Sequence, residues 1–189
     1  MNRLFLLALC YLVGAIPTSY LCVQYYLKKD IRTLGSGNSG ATNASRVLGL
    51  WAFVFILCVD AAKAYAALYV LQSAGYTSTQ FLLFAAAAVL LGNGYSPFLR
   101  FAGGKGVSTM FGLLLFFLPL GVVGGYVAVF MLVFYLFYRV DVASLSASLG
   151  GIAIVWAAGC SELYLNASIV GAVWIWVQHW KNIRTLLKG

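Results

Sequence analysis

Two glycine-rich polar stretches stand out in a chain that is otherwise almost entirely apolar. The first, residues 34–46, reads LGSGNSGATNASR, and the second, residues 101–109, reads FAGGKGVST. Glycines leave the backbone free to turn its N–H groups towards an anion, and Arg46 and Lys105 add one cation to each stretch. We therefore predict two phosphate-binding loops. For the first stretch the alternative is an ordinary interhelical turn, although such a turn usually needs only about 2–8 residues.

The predicted phosphate ligands are Gly35, Ser36, Gly37, Asn38, Gly40, Thr42, Asn43 and Arg46 in the first stretch, and Gly103, Gly104, Lys105 and Gly106 in the second. The second stretch is not a Walker A loop. That motif needs Ser or Thr directly after its lysine, where Gly106 stands here, and a glycine where Leu99 stands. Nucleotide hydrolysis therefore has no support. For Lys105 the alternative is a lysine that only snorkels to the membrane interface.

A third group of candidate residues follows later in the chain. His179 and Asn182 lie three residues apart, so they share one face if the last helix continues through them. An imidazole and an amide there would orient a substrate, although a lone interfacial His is more often structural. Ser144 and Ser146 open an apolar segment, where an N-cap role is the alternative to substrate contact.

The composition is that of an integral membrane protein. Hydrophobic residues make up 63% of the 189 positions and charged residues 8%, against about 25% charged residues in an ordinary soluble domain. We predict one transmembrane domain over residues 1–189. The net charge of +8 is dispersed between apolar segments, which argues against a nucleic-acid partner. With four cysteines, no C-x-x-C pair and one His, we expect no metal or other cofactor and no disulfide framework.

The apolar runs predict an all-α membrane fold with seven short transmembrane helices. One span needs about 20 apolar residues, and the runs are residues 4–27, 50–71, 81–91, 107–138, 143–158 and 164–178. As one helix the 107–138 run would be about 48 Å long, so we expect two helices broken near Pro119-Leu120-Gly121. The first run is interpreted as a retained helix rather than a signal peptide. Asp60 and Lys63, at i, i+3 in the second run, are expected to pair.

The basic residues predict the orientation of the chain. With the N-terminus outside and the C-terminus and both glycine-rich loops in the cytoplasm, the inner face collects 10 of the 12 basic residues. These ten are Lys28, Lys29, Arg32, Arg46, Arg100, Lys105, Arg139, Lys181, Arg184 and Lys188. A six-span alternative with an unbroken 107–138 helix moves the last four to the opposite face. The tail, residues 179–189, alternates basic and apolar residues and is predicted to form an interfacial helix.

In order and spacing these blocks resemble the PlsY family of bacterial membrane acyltransferases. The resemblance rests on GSGN at 35–38, GATN at 40–43 and Arg46, on GGKGV at 103–107, and on His179 with NI at 182–183 and LL at 186–187. GAIPT at 14–18 and DAAK at 60–63 are also similar to the family. The resemblance implies a seven-helix fold in the bacterial plasma membrane with a cytoplasmic active site. It implies transfer of a fatty acyl group from acyl phosphate to the 1-hydroxyl of glycerol 3-phosphate, giving lysophosphatidic acid and phosphate.

The resemblance also implies roles by position. The residues that match those tied to catalysis or substrate binding are Ser36, Arg46, Lys105, Ser144, His179 and Asn182, with Arg46 and Lys105 favoured for glycerol 3-phosphate. The substrate's own phosphate would act as the base, and Ser36 as a covalent nucleophile stays open as an alternative. The implied partners are acyl phosphate, glycerol 3-phosphate and membrane lipid. Acyl carrier protein and acyl-CoA are not expected as donors, because the inner loops are short and hold their cations among glycines.

Several positions depart from the family pattern. The family usually has His where this chain has Asn93, Lys where it has Ala102, Gly where it has Ala64 and Arg where it has Thr185. Pro97 is displaced by one place relative to the family pattern. The spacing from Arg139 to Ser144 is longer than usual. These departures leave the core blocks intact and bear on substrate preference and activity.

Two further hypotheses compete with the enzyme. An organic-phosphate transporter would account for an Asp60–Lys63 pair inside a span, but a transporter should show inverted repeats and broken helices at the midplane. A divergent homologue would bind acyl phosphate without turning it over. The predicted polar residues collect at one face of the membrane, which favours the enzyme.

Overall fold

A computed structural model describes residues 2–186 of the protein, and this part of the chain is helical without a β-strand. Its ten α-helices are α1 (Arg3–Ala15), α2 (Thr18–Leu27), α3 (Ala41–Leu48), α4 (Leu50–Ser73), α5 (Thr79–Gly94), α6 (Val107–Phe117), α7 (Leu120–Phe137), α8 (Val140–Ala157), α9 (Glu162–Gln178) and α10 (Trp180–Leu186). Two 3-10 turns, Ile31–Thr33 and Pro97–Leu99, lie in the connections. The predicted all-α class is confirmed.

The chain divides into two compact units, the first ending at Phe116 and the second beginning at Phe117. Five segments of the described chain are long and apolar enough to cross a membrane: Arg3–Leu27, Leu50–Ser73, Thr79–Leu99, Leu120–Phe137 and Val140–Ala157. α6 is a shorter apolar helix of 11 residues, and α9 has 17 residues. The helices thus bear out a membrane protein, and the count of seven spans stays a prediction.

The first apolar run was predicted as one helix and is in fact two. α1 and α2 are separated at Ile16-Pro17, because proline lacks an N–H and its ring obstructs the preceding helical turn. Carbonyls freed inside a membrane protein need other donors. Ser96 Oγ donates to the Ala15 carbonyl at 2.6 Å, and Lys63 Nζ donates to the Ile16 carbonyl at 2.8 Å. Side chains distant in sequence therefore stabilise the break.

The predicted Asp60–Lys63 pair is confirmed on α4. Nζ of Lys63 lies 2.8 Å from Oδ1 of Asp60, and the two side chains are only 9% and 11% exposed. Thr18 Oγ1 at the start of α2 donates to the same carboxylate oxygen at 2.7 Å. Charges in the membrane interior are costly unless they are paired. The pair therefore explains how α4 carries two charges near its middle.

The predicted break in the 107–138 run is also confirmed. α6 ends at Phe117 and α7 begins at Leu120, with Pro119 at the N-cap of α7. Proline is tolerated at a helix start because its missing N–H has no intrahelical acceptor there. The unbroken helix that the six-span alternative requires is therefore absent.

In the first unit α1 and α5 pack backbone against backbone. Gly14 on α1 faces the Val89 carbonyl, and Gly92 on α5 faces the Tyr11 carbonyl, so closely that a Cβ at either glycine would collide with the other helix. This approach places the end of α5 beside the α1–α2 break, where Ser96 reaches α1.

In the second unit α7, α8 and α9 pack through close approaches at glycines and through a side-chain hydrogen bond. Gly151 on α8 leaves room for the ring of Tyr126 on α7. Trp176 Nε1 on α9 donates to Ser148 Oγ on α8 at 3.1 Å.

The C-terminal tail is helical over α10. Its place at the membrane interface stays a prediction. Residues 187–189 lie outside the described residues.

Candidate functional site

The first glycine-rich stretch is a loop only in its first half. Residues 34–40 form the loop, and α3 begins directly after Gly40, which is its N-cap. Thr42, Asn43 and Arg46 are therefore helical. Ser36 and Arg46 are both exposed, and a Cβ on Gly35 would lie 3.7 Å from Cδ of Arg46. The predicted hydroxyl and guanidinium thus border the same accessible turn.

Asn43 orders this loop from the inside. Its side chain is buried, and its Oδ1 accepts a hydrogen bond from the Ser36 N–H at 2.8 Å. Its Nδ2 donates to the carbonyls of Ile31 at 3.2 Å and Leu34 at 2.9 Å. The amide that the sequence marks as a phosphate ligand is therefore engaged with loop backbone, and its contact with phosphate stays a prediction.

The second glycine-rich stretch folds back on the end of α5 and meets the first. The Gly104 N–H donates to the Asn93 carbonyl at 3.0 Å. A Cβ at Gly104 would lie 2.9 Å from the Ser39 carbonyl oxygen, so this approach favours glycine. Ser39 Oγ also donates to the Ala102 carbonyl at 3.3 Å. The structure therefore brings the two predicted phosphate loops into contact within the first unit.

Lys105 stands two residues before the first residue of α6, close to the helix start that the sequence predicts. The lysine is half-buried, and the following Gly106 has a φ of +79°, a left-handed value that favours glycine. α6 then begins at Val107. The partial positive charge at a helix N-terminus and the lysine ammonium both favour an anion at this place.

Sequence reasoning missed Arg32, which it treated only as a topology charge. Its guanidinium is held by the carboxylate of Asp30, with the shortest contact at 2.6 Å, and its Nη1 donates to the Leu99 carbonyl at 2.9 Å. The hydrogen bonds from Arg32 hold the pKa of the Asp30 carboxyl below its usual value. The two residues form a clamp between the connections that carry the glycine-rich stretches. The sequence signal was an Asp and an Arg two places apart directly after α2.

In the second unit Ser144 lies in the first turns of α8. Its Oγ donates to the Val140 carbonyl at 2.7 Å, and the residue is buried. α8 begins at Val140 with Arg139 at the N-cap position. The alternative N-cap role for Ser144 is therefore wrong, because the helix starts a full turn earlier than the apolar pattern indicates.

His179 is fully engaged in the structure at the end of α9. The ring is 2% exposed, and Nδ1 lies 2.8 Å from the Ile175 carbonyl oxygen. Because a carbonyl only accepts, Nδ1 carries a proton and donates it in this contact. His179 closes α9 as its C-cap and α10 begins at the next residue. His179 and Asn182 thus do not share one continuous helix, which was the condition for a common face.

Asn182 is oriented by Asp141, a residue that sequence reasoning did not select. Asn182 Nδ2 donates to Asp141 Oδ2 at 2.9 Å, and Arg139 Nη2 contacts the same oxygen at 2.7 Å. Arg139 Nε reaches the other carboxylate oxygen at 3.1 Å. The carboxylate therefore holds the amide nitrogen and directs the amide oxygen of Asn182 away from itself.

Three of the departing positions have a clear place in the fold. Ala64 is fully buried on α4, the Asn93 carbonyl accepts from Gly104, and Thr185 Oγ1 donates to the Lys181 carbonyl at 3.0 Å. Across residues 2–186, no group of three His, Cys, Asp or Glu side chains is arranged to hold a metal ion.

Comparison with known proteins decides the family. The family model described as glycerol-3-phosphate acyltransferase matches residues 4–189. This chain belongs to the glycerol-3-phosphate acyltransferase family. Glycerol-3-phosphate acyltransferase 2 of Bacillus anthracis is 38% identical over 186 residues, which cover 97% of this chain and 94% of that protein. The glycerol-3-phosphate acyltransferase of Syntrophomonas wolfei is 34% identical over 189 residues, covering 100% of this chain and 95% of that protein.

Solved structures of the glycerol-3-phosphate acyltransferase family share the fold. The crystal structure of PlsY, an integral membrane glycerol 3-phosphate acyltransferase, in its glycerol 3-phosphate form matches with a TM-score of 0.87 and 32% identity. That match covers 99% of this chain and 92% of the PlsY chain. The lysophosphatidic acid form of PlsY gives a TM-score of 0.84. The resemblance to PlsY found in the sequence is confirmed.

Proposed function

We propose that this chain is a membrane enzyme that acylates the 1-hydroxyl of glycerol 3-phosphate to give lysophosphatidic acid. The observation that carries the proposal is the contact between the two glycine-rich stretches at Ser39 and Gly104. It brings together the two glycine-rich stretches that carry Arg46 and Lys105, so that both cations are available to bind the phosphate of glycerol 3-phosphate. The names of the relatives and the two ligand forms of PlsY support the same reaction.

The proposed donor is an acyl phosphate. The hydroxyl oxygen of glycerol 3-phosphate attacks the acyl carbon, the bond from that carbon to the phosphate oxygen breaks, and phosphate leaves with the electron pair. The phosphate of the donor takes the hydroxyl proton, so that the step needs no separate protein base. The short loops with cations among glycines suit this small donor better than acyl carrier protein or acyl-CoA.

Arg46 and Lys105 are proposed to bind the phosphate of glycerol 3-phosphate, since they belong to the two glycine-rich stretches that meet in the first unit. On the resemblance to the family, Ser36, Ser144, His179 and Asn182 are proposed to orient the carbonyl and the leaving phosphate of the donor. Preorganised donors of this kind usually supply the largest single part of a rate enhancement. The other predicted phosphate ligands are Gly35, Gly37, Asn38, Gly40, Thr42, Asn43, Gly103, Gly104 and Gly106.

We further propose seven membrane spans, with α1 and α2 as one broken span and with α6 and α9 as short spans. The N-terminus then lies outside, and the C-terminus and both glycine-rich loops lie in the cytoplasm. The protein would reside in the bacterial plasma membrane as one acyltransferase domain over residues 1–189. The excess of basic residues on one side supports this orientation.

The test is a donor comparison on the purified protein. Incubation with acyl phosphate and glycerol 3-phosphate should yield lysophosphatidic acid and one phosphate per product, whereas acyl-CoA and acyl carrier protein should yield none. Binding of acyl phosphate without product would instead identify a non-catalytic homologue. Glycerol 3-phosphate uptake into vesicles without acylation would identify a transporter. Equal rates from all three donors would refute the proposed donor.

A further inference from the structure

A small polar cavity lies inside the first unit where the two glycine-rich stretches meet. It offers about 10 Å³ to the centre of a water-sized molecule, which is close to the minimum for one buried water. The cavity wall includes the α1–α2 break and residues Ser19, Asp60 and Asn93. Ser39 and Gly104, the contact point of the two stretches, complete it.

Three residues of the cavity wall have side chains with unused hydrogen-bonding capacity. Ser19 is 3% exposed, and neither its hydroxyl nor the side-chain amide of Asn93 has a hydrogen-bond partner within residues 2–186. The bond from Thr18 and the shortest contact from Lys63 both go to Oδ1 of Asp60. Oδ2 of this buried carboxylate therefore retains acceptor capacity.

A dry cavity would leave these groups unsatisfied. Buried polar groups without partners are unfavourable, whereas a buried water with about two to four polar partners satisfies them. The volume of the cavity is at the lower limit for one such water, and Asp60, Ser19 and Asn93 in its wall could serve as the partners. The backbone carbonyl of Asn93 holds the Gly104 N–H at 3.0 Å, so the cavity adjoins the residue that precedes Lys105.

We propose that one buried water joins the Asp60 carboxylate to Ser19 and Asn93, and that Asp60 thereby acts as a positioning residue for the second glycine-rich stretch. Lys63 and Thr18 hold one oxygen of the carboxylate. The water bonds the other oxygen and Asn93, and so holds Asn93 in a fixed place relative to Asp60. The role in positioning Lys105 rests on the proposed function, whereas the water site itself does not.

The water site is tested by crystallography on the full chain, at a resolution that shows ordered solvent. The wild-type density should contain one water within hydrogen-bonding distance of Asp60, Ser19 and Asn93. Ser19→Val replaces the hydroxyl by two methyl groups, which fill the space of the water, so its density should lack that water. An empty wild-type cavity, or a water retained unchanged in Ser19→Val, would overturn the site.

The positioning role is tested by kinetics on the same variant. Ser19→Val should raise the KM for glycerol 3-phosphate about tenfold with little change in kcat, because a shifted glycine loop weakens phosphate binding before and in the transition state alike. Ser19→Ala, which removes the hydroxyl and leaves room for the water, should have a smaller effect. Ser168→Val is the matched control, since Ser168 is equally buried and its Oγ bonds the Tyr164 carbonyl on its own helix.

An unchanged KM in Ser19→Val, or an equal rise in Ser168→Val, would refute the positioning role. If Ser19→Val does not fold, Asn93→Leu removes another partner of the water and should raise the same KM. A wild-type protein that fails to acylate glycerol 3-phosphate would refute the proposed function instead. In that case the variants are compared by their dissociation constants for glycerol 3-phosphate instead of by KM. The crystallographic result still decides whether the water site exists.

Discussion

Lys105 is the cation of the second glycine-rich stretch and stands at the start of α6. We expect Lys105→Ala to lower kcat/KM by about 100- to 1000-fold, since loss of one electrostatic stabiliser costs on the order of 3–4 kcal/mol. The measurement is the rate of lysophosphatidic acid formation by a variant whose thermal unfolding is unchanged. Lys29→Ala, the same change at an exposed lysine outside both stretches, should keep wild-type kinetics. Near-normal kcat/KM in Lys105→Ala would contradict the assignment.

Arg46 and Ser144 are expected to serve different substrates. Arg46→Ala should raise the KM for glycerol 3-phosphate more than that for acyl phosphate, because the guanidinium is a fork suited to a small phosphate. Ser144→Ala should do the reverse, because its hydroxyl is assigned to the donor. Both KM values are measured for each variant with the other substrate saturating. Equal effects on the two substrates would count against this division.

At the scale of elements, the clamp from Asp30 through Arg32 to Leu99 joins two connections. Arg32 lowers the pKa of Asp30, so the clamp stabilises the fold at pH values above the usual aspartate range and loses this contribution as pH falls through the lowered pKa. We expect Asp30→Asn to reduce the unfolding temperature near about pH 7 and to have little effect near about pH 2. The effect should be modest, because both side chains are about one-third exposed.

The control for the clamp is Glu162→Gln, which removes a carboxylate at the exposed start of α9. Thermal unfolding in detergent is measured across the acid range for both variants and the wild type. A pH dependence in Asp30→Asn that matches the wild type would show that the clamp does not contribute.

Asn43 couples α3 to the first loop through three hydrogen bonds to backbone. We expect Asn43→Ala to destabilise the fold by about 1–3 kcal/mol, because the Ser36 N–H and the carbonyls of Ile31 and Leu34 lose their partner. Denaturant or thermal unfolding measures the change, and Asn166→Ala, an exposed asparagine on α9, is the control. If Asn43 served only as a phosphate ligand, unfolding would be unaffected and only substrate binding would weaken.

For the whole molecule, the proposed orientation makes a labelling prediction. In a chain whose four native cysteines are replaced by alanine, Ser73→Cys at the exposed end of α4 should react with an impermeant thiol reagent from outside the cell. Lys29→Cys should react only in inside-out vesicles, because the positive-inside tendency places the basic segment after α2 in the cytoplasm. Labelling of both from the same side would refute the seven-span arrangement.

The sequence by itself determined the membrane class, the all-α fold, the break before α7 and the Asp60–Lys63 pair. Each of these follows from local properties: hydrophobicity per residue, the chemistry of proline and an i, i+3 spacing. The glycine-rich stretches were found for the same reason, since backbone freedom and cation type are visible residue by residue. The helical conformation of the second half of the first stretch was not predicted, because small polar residues suit a loop and a helix start alike.

Only the tertiary structure decided the partners of the carbonyls freed at the Pro17 break, the contact of the two stretches and the residues that orient the site. The freed carbonyl of Ala15 is satisfied by Ser96, 81 positions away, and Arg32 reaches Leu99 over 67 positions. Asp141 likewise meets Asn182 over 41 positions. Local pattern carries no information about such pairs, because hydrogen bonds between distant residues depend on how helices pack. The groups that could do chemistry were readable from the sequence, and the groups that hold them in place were not.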